Sequence, residues 1–384
     1  MFSPRADSIG LRALVALLPL ALFCARLSVA APAADLNQAL ASAMKGTKTP
    51  ALSLLVMHGG KITQVAVRGV RRNDGHDPVR IDDVWLIGSD AKPMTATLVA
   101  KLVDRGVLSW NAPLARMLPG LASNMRPEYR NVTLVQLLSH RAGLPHDYHD
   151  LKYFNTFFRD QRPAEQQRLD YVAHALTDGP VAPPGTKFSY SNTGFMIAAV
   201  IAERKAGASY EALMQREVFN PLGMKSAGFG VTPPGQPQGH HAGKVAGLKD
   251  ANPAMFAPAG NIHLSLRDWA AFCLDQMAGY HGQGKLLKPN TYRMMETRLP
   301  GAETGLSWGV QDSALGRKGP ALMHAGSDGN WMALVLLFPQ TQNGVLVAAN
   351  AGDDMGGDKA TKAALKIVLP ELAPPAGEPV KPQP

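Results

Sequence analysis

The stretch Val84-Trp85-Leu86-Ile87-Gly88-Ser89-Asp90-Ala91-Lys92-Pro93-Met94-Thr95-Ala96 carries the first chemical signal in this chain. Four apolar residues run into Ser89-Asp90-Ala91-Lys92, which opens a helix. Asp90 in the first turn suits the positive end of the helix dipole, and Pro93 is tolerated that close to the start. Ser89 and Lys92 are three apart, so their side chains share a helix face. A serine hydroxyl is a weak nucleophile until a base takes its proton, and a lysine serves only where its amine is kept partly neutral. The helix start adds backbone N–H groups and a positive field. Taken alone, the motif is better read as an N-cap serine followed by a solvated lysine.

Two later stretches change that balance. Pro183-Pro184-Gly185-Thr186-Lys187-Phe188-Ser189-Tyr190-Ser191-Asn192 precedes a helix. Tyr190 could act as a phenolic base if a nearby lysine lowers its pKa. Asn192 could hold a substrate amide or carbonyl and also touch Lys92. The plainer alternative is a packed tyrosine and an N-cap asparagine. His324-Ala325-Gly326-Ser327 lies on a late strand, where glycine would let a substrate lie along the strand edge. The N–H groups of Ser89 and Ser327 could then form an oxyanion hole. The alternative is a strand end whose Gly326 merely serves the following turn.

Around these stretches the apolar pattern predicts helix at Leu36 to Met44 and a hairpin of Leu52 to Met57 and Ile62 to Val70 about Gly59-Gly60. A mostly helical middle follows, with Met94 to Val103, Leu134 to Leu138, Phe195 to Ala206 and Tyr210 to Phe219 at helical spacing. Residues 232–260, rich in Pro and Gly, are predicted to be loop. Ala321 to His324, Trp331 to Phe338 and Gly344 to Ala349 predict three strands, and Lys359 to Leu369 a closing helix. The expected fold is α/β (α+β): a five-stranded antiparallel sheet built from both ends of the chain, flanked by helices, with an inserted all-helical lobe. A cleft between the two lobes is the expected site.

The three stretches, in this order and with these gaps, resemble the serine β-lactamase and penicillin-recognising enzyme family. The match is to its class C branch, with D-alanyl-D-alanine carboxypeptidases, D-aminopeptidases and family VIII carboxylesterases. Val132-Thr133-Leu134-Val135-Gln136-Leu137-Leu138-Ser139-His140-Arg141-Ala142-Gly143-Leu144-Pro145, Pro221-Leu222-Gly223-Met224 and Ala259-Gly260 resemble other family segments; Ala142 stands where a serine is usual. The likeness runs from about Leu36 to Leu369. It implies a β-lactamase/transpeptidase-like domain over 31–372, with Ser89 as acylated nucleophile. Lys92 would keep Ser89 deprotonable, Tyr190 would be its acid–base partner, and Asn192, His324, Gly326 and Ser327 would contact substrate. His324 stands where many β-lactamases have lysine. A histidine is mostly neutral near pH 7, so it offers no fixed charge for a substrate carboxylate. An esterase or D-amino-acid peptidase is therefore favoured over a class C-like β-lactamase. A slow-acylating penicillin-binding sensor or binding protein is the reading from another class. In related proteins the region of Asp147 to Phe154 borders the cleft, so Tyr148 is expected to line the pocket; an aromatic loop packing on itself is the alternative. No metal or organic cofactor is implied, and the expected partner is a small-molecule or peptide acyl substrate.

Residues 1–30 read as a secretory signal: Arg5 and Arg12 precede an apolar run from Ala13 to Ala25, and Ser28 and Ala30 have the spacing of a cleavage site, with Ala33 the second choice. The run is shorter than the ~20 residues of a spanning helix. A periplasmic or secreted protein without a stable membrane span follows as the expectation. Loss of the leader would remove Cys24 and leave Cys273 alone in an apolar stretch, without an intrachain disulfide. The net charge is +9, of which Arg5, Arg12 and Arg26 against Asp7 supply +2, leaving +7 in scattered basic residues with no nucleic-acid module. Ala325-Gly326-Ser327-Asp328-Gly329 faintly resembles a nucleophile elbow, but that fold needs a histidine after the serine and none follows His324. His140, His146 and His149, or His240-His241, lack the companions of a metal site. The tail 373–384 is Pro-rich and expected to be disordered.

Overall fold

The computed structural model describes residues 34–375 apart from positions 148, 149, 248, 301 and 303. The leader, Tyr148, His149 and the tail from 376 therefore lie outside the described residues. In chain order, α1 (Leu36–Met44) precedes β1 (Ala51–His58) and β2 (Lys61–Gly69), a hairpin whose Gly59 and Gly60 both take positive φ. β3 (Val84–Leu86) leads through the 3-10 turn Gly88–Ala91 into α2 (Lys92–Asp104). The helical lobe includes α3 (Ala164–Ala175) and α4 (Asn192–Ala206). Short strands β4 (Gly228–Phe229), β5 (His240–His241) and β6 (Lys244–Val245) are followed by β7 (Ile262–Ser265) and α5 (Leu266–Tyr280). The chain closes with β8 (Gly309–Ala314), β9 (Arg317–Ser327), β10 (Met332–Phe338), β11 (Asn343–Ala349) and α6 (Gly357–Leu372).

The main sheet is antiparallel with six strands rather than five, in the order β2-β1-β11-β10-β9-β8. The added strand is β8, an edge strand with Gln311, Asp312 and Ser313 exposed and a bulge between Gln311 and Ser313. A polar, one-neighbour strand has no apolar alternation to announce it. β1 lies in the sheet interior and is buried on both faces, which explains its unbroken apolar run. Leu52, Leu54 and Val56 face α1 and α6, whereas Leu55 and Met57 face the helical lobe. This is the period-2 alternation of a strand dividing two cores.

Other expectations shift in detail. The helix expected over Tyr210 to Phe219 is α-helical to Met214 and widens to a π turn over Gln215–Phe219. The Pro/Gly-rich region is not all loop: it holds β5 and β6 and ends in helical turns over Ala254–Gly260. Pro374 and Pro375 lie against the start of β9, since Lys318 donates to the Pro374 carbonyl (3.0 Å) and Pro375 bridges Arg317. Order thus continues past position 373, where the disordered tail was expected to begin. Cys273 is fully buried in α5, and desolvation raises its thiol pKa well above the ordinary value, so it is an inert packing residue. Among the described residues no helix is long and apolar enough to cross a membrane.

A buried polar network holds the 254–260 turns in place. Arg168 on α3 has no exposed side-chain surface. It donates to Glu203 (2.8 Å), to Glu211 (3.0 Å) and to the Met255 carbonyl (2.6 Å). Its guanidinium lies 5.4 Å from the Tyr210 ring centre, and the Tyr210 hydroxyl meets Thr95 Oγ1 at 2.7 Å. Thr95 in turn donates to the Pro258 carbonyl at 2.8 Å. Helices α2, α3 and α4 are thereby tied to the segment that carries Ala259. Arg168→Met is expected to cost about 3–5 kcal/mol, because Glu203 would be left buried without its partner. Denaturant titration should show a lower midpoint, and Glu211→Gln, at the wetter end of the network, should cost less.

Candidate active site

Close backbone approach creates the corner on which Ser89 stands. The Ile87 amide donates to the Ile262 carbonyl (3.1 Å), tying β3's exit to β7. Gly88 turns the chain at φ 52°, where a side chain would collide with the Ser327 amide. A methyl on Gly326 would overlap the Ile87 carbonyl and come within 2.8 Å of the Ser89 nitrogen. The amides of Ser89 and Ser327 are thus brought together, as an oxyanion hole requires. The expectation that Gly326 makes room for substrate is corrected: that space is filled by the Ile87–Asp90 turn.

Lys92 points from the first turn of α2 into a fully buried place. Its Nζ donates to Ser89 Oγ at 2.8 Å and to the Ala259 carbonyl at 2.5 Å. The rings of Tyr190 and Phe195 lie 5.0 and 5.6 Å from it. Desolvation lowers its pKa from 10.5 to about 7, against the pull of Asp147 and Asp90. A good fraction of the amine is therefore neutral near pH 7, as the serine needs.

Tyr190 is braced from behind. His140 stacks on it with ring centres 4.4 Å apart, and the His140 ring accepts from the Ser191 amide (3.0 Å) while its carbonyl accepts from Ser189 (2.7 Å). Burial holds the His140 pKa well below 6.5, so the ring is neutral. Burial likewise pushes the Tyr190 phenol up to about 12, although a hydrogen bond to Ser89 works the other way. The lowered phenol pKa considered from sequence is absent; Tyr190 is a protonated phenol at neutral pH. Asn192 opens α4, and its Nδ2 donates to Asp147 Oδ1 at 2.9 Å, in place of the expected contact with Lys92.

His324 is held against the nucleophile turn. It and Gly326 share one face of β9, the face packed on the nucleophile turn. Its Nδ1 faces Asp90 Oδ1 (3.0 Å) and the Ala325 carbonyl (3.1 Å), both acceptors, which assigns the proton to Nδ1. The side chain is 7% exposed. Burial raises the Asp90 pKa to about 6, with His324 opposing. This buried pairing clamps β9 to the Ser89 turn.

The cleft itself, about 240 Å³, is lined by Ser89, Asp147, Asn192, Ser327 and Asp328, with Phe154, Asn252, Phe256, Ala259 and Gly260 completing the wall. A larger hollow of about 610 Å³ shares the segment after Asp150 but carries Lys152, Arg159 and Lys249 and no candidate nucleophile. The structure therefore gathers Ser89, Lys92, Tyr190, Asn192 and Ser327; Tyr148 is outside the described residues. Asp147, Asp90 and His140 stood in quoted stretches but were given no part in the reaction. No group of three or more His, Cys, Asp or Glu positioned for a metal occurs among the described residues.

Comparison with known proteins follows this geometry. The profile of the family described as Beta-lactamase matches residues 36–369. Penicillin-binding protein 4 of Amycolatopsis lactamdurans is 33% identical over 175 residues, 46% of this chain and 43% of that protein. The D-alanyl-D-alanine-carboxypeptidase/endopeptidase AmpH of Escherichia coli (strain K12) is 28% identical over 188 residues, 49% of this chain and 47% of that protein. Esterase EstB of Burkholderia gladioli is 29% identical over 211 residues, 53% of each. The chain thus spans about half or less of the length of these curated relatives. The octameric penicillin-binding protein homologue from Pyrococcus abyssi shares the fold, with a TM-score of 0.70 at 22% identity over 88% of this chain and 77% of that one.

Only the neutral amine of Lys92 can accept the Ser89 proton. Its neutral fraction grows with pH, so labelling of Ser89 by a fluorophosphonate is expected to speed up through about pH 7 and then level off. An ordinary lysine would place that rise near 10.5. Asp147→Asn removes a charge that holds the ammonium form, and the midpoint should move to lower pH. A rate without a rise near neutrality would show that Lys92 is not the base.

Proposed function

Because the chain belongs to the β-lactamase family of serine hydrolases, we propose that it hydrolyses an ester or amide through an acyl-enzyme on Ser89, as an exported esterase or D-amino-acid peptidase. The observation that carries this reading is the 2.8 Å hydrogen bond between the buried Lys92 amine and Ser89 Oγ. The penicillin-binding, carboxypeptidase and esterase relatives support the same chemistry.

In this mechanism Ser89 Oγ attacks the carbonyl carbon as its proton passes to Lys92. The oxyanion forms against the N–H groups of Ser89 and Ser327. Tyr190, a neutral phenol in contact with Ser89, gives its proton to the leaving oxygen or nitrogen and recovers one from Lys92. Water then attacks the acyl-enzyme with the same groups acting in reverse, which returns the acid product and free Ser89. The ester and peptide reading is favoured over a β-lactamase because the described residues that line the cleft include no Lys, Arg or His to take a β-lactam carboxylate.

Intact-mass analysis with a fluorophosphonate should show one adduct, lost in Ser89→Ala, together with turnover of a short-chain p-nitrophenyl ester. Tyr190→Phe should keep the fold and lower turnover by about 10²–10⁴-fold, the usual contribution of a positioned acid–base group. An adduct that persists in Ser89→Ala would refute the assignment. A stable β-lactam adduct without turnover would instead identify a penicillin-binding sensor.

A further inference from the structure

We propose that the hollow beside the cleft, lined by Lys152, Arg159 and Lys249, is a second substrate subsite that receives an anionic group, a carboxylate or a phosphate, carried at the far end of the substrate from the reacting carbonyl. The inference rests on the Ser89 acyl-enzyme reading and narrows its substrate class.

The argument begins with how the hollow joins the cleft, because two segments of chain wall both. Phe154 lines the cleft, and the helical turns Leu151–Phe154 and Asn155–Phe158 around it give Lys152, Phe158 and, at their end, Arg159 to the hollow. Asn252 lines the cleft, and the loop just before it gives Lys249 to the hollow. The Phe154 ring meets Phe256 edge-on with centres 5.7 Å apart on the cleft side, and Phe158 edge-on at 6.0 Å on the other. A run of apolar rings thus leads from the pocket that holds Ser89 to the wall of the hollow. The cleft, about 240 Å³, has space for the reacting group and a short chain, whereas the hollow, about 610 Å³, has space for a larger end group.

Charge gives the hollow its chemistry. The ionisable groups among its described lining residues are two lysines and an arginine. The carboxylates closest to them in sequence are engaged elsewhere. Asp150 accepts from the Tyr153 amide (3.0 Å), Asp160 holds Arg162 (2.6 Å), and Asp250 accepts from the Gly247 amide (2.7 Å). Three like charges around one space repel one another, and an anion placed among them turns that repulsion into attraction. Lysine and arginine both donate charge-assisted hydrogen bonds to carboxylate and phosphate oxygens. Lys152 and Arg159 come from one segment and Lys249 from the other, so a bound anion would bridge the two walls. The order of surfaces, nucleophile, then apolar rings, then cations, matches a molecule whose reacting carbonyl is joined by an apolar chain to an anionic end.

The test uses two series of esters at neutral pH. In the first, p-nitrophenyl monoesters of dicarboxylic acids from adipate to sebacate carry the anion on the acyl side, each compared with its methyl-capped partner. In the second, butyryl esters of hydroxyphenyl alkanoic acids carry it on the leaving side, again against the methyl-capped form. Chains ending in phosphonate run beside both and show which anion the hollow takes; a preference for either supports the proposal. Wild type is expected to prefer a charged ester over its capped partner by at least about fivefold in kcat/KM at low salt, chiefly through KM. The preference should fall at high salt, because exposed charges are screened. With Lys152→Gln, Arg159→Gln and Lys249→Gln combined it should shrink to within about twofold, while retained fluorophosphonate labelling of Ser89 reports an intact site. Equal or better use of the capped esters in both series would overturn the inference, as would a preference that survives the triple substitution. If wild type labels at Ser89 in either of those cases, the acyl-enzyme reading stands. If it does not label, both fall together.

Discussion

The site depends on two peptide backbones touching where neither has space for a side chain. Gly326 of β9 lies against the Ile87–Asp90 turn, and Gly88 lies against the Ser327 amide. Gly260 closes a third side, its added methyl falling 3.5 Å from the Ser89 nitrogen. The consequence is positional: a sheet strand, a helix start and the end of the 254–260 helical turns converge on one serine. His324 and Asp90 lock the same junction from beneath with a hydrogen bond that spans 234 residues of chain. A pair of amides that is to serve as an oxyanion hole needs such rigidity, because a donor displaced by an ångström stabilises an oxyanion poorly.

Around that corner, burial divides the acid–base work. Lowering Lys92 from 10.5 to about 7 corresponds to roughly 5 kcal/mol of lost preference for its charged form, even with two carboxylates opposing. The same desolvation moves Tyr190 in the direction that keeps its proton. One low-dielectric environment therefore yields an amine that titrates near neutrality and a phenol that does not. The cost falls on folding stability, and it is offset elsewhere by the two-faced core and the satisfied Arg168 network.

Much of this was legible in the sequence, and the failures have physical causes. Ser89 and Lys92 were readable because a three-residue helical spacing is local, and the hairpin because Gly59-Gly60 parts two apolar runs. Tyr190 and Asn192 were offered by their chemistry and singled out by family resemblance, and the direction of the Tyr190 shift was missed because burial outweighs a neighbouring amine. β8 was missed because an edge strand needs no apolar face. The pairings of Asp147 and His324 were not legible for one reason: each is set by a partner distant in the chain, Asn192 and Asp90, and periodicity carries no information about such pairs. The helical turns over 254–260 were hidden by Pro258, which sits at a first-turn position where helices accept proline.

The central pairing of the sheet has a consequence for folding. β1 bonds to β11, and the Ala51 amide is received by Asn350, 299 residues later. β1 therefore completes its inner edge only once β11 is available, since its interior neighbour follows it late in the chain. Contacts this far apart fold slowly, because a long loop must close before any of them forms. Chain order thus places the pairing of β1 with β11, and with it the closing of both cores that β1 divides, among the late events of folding.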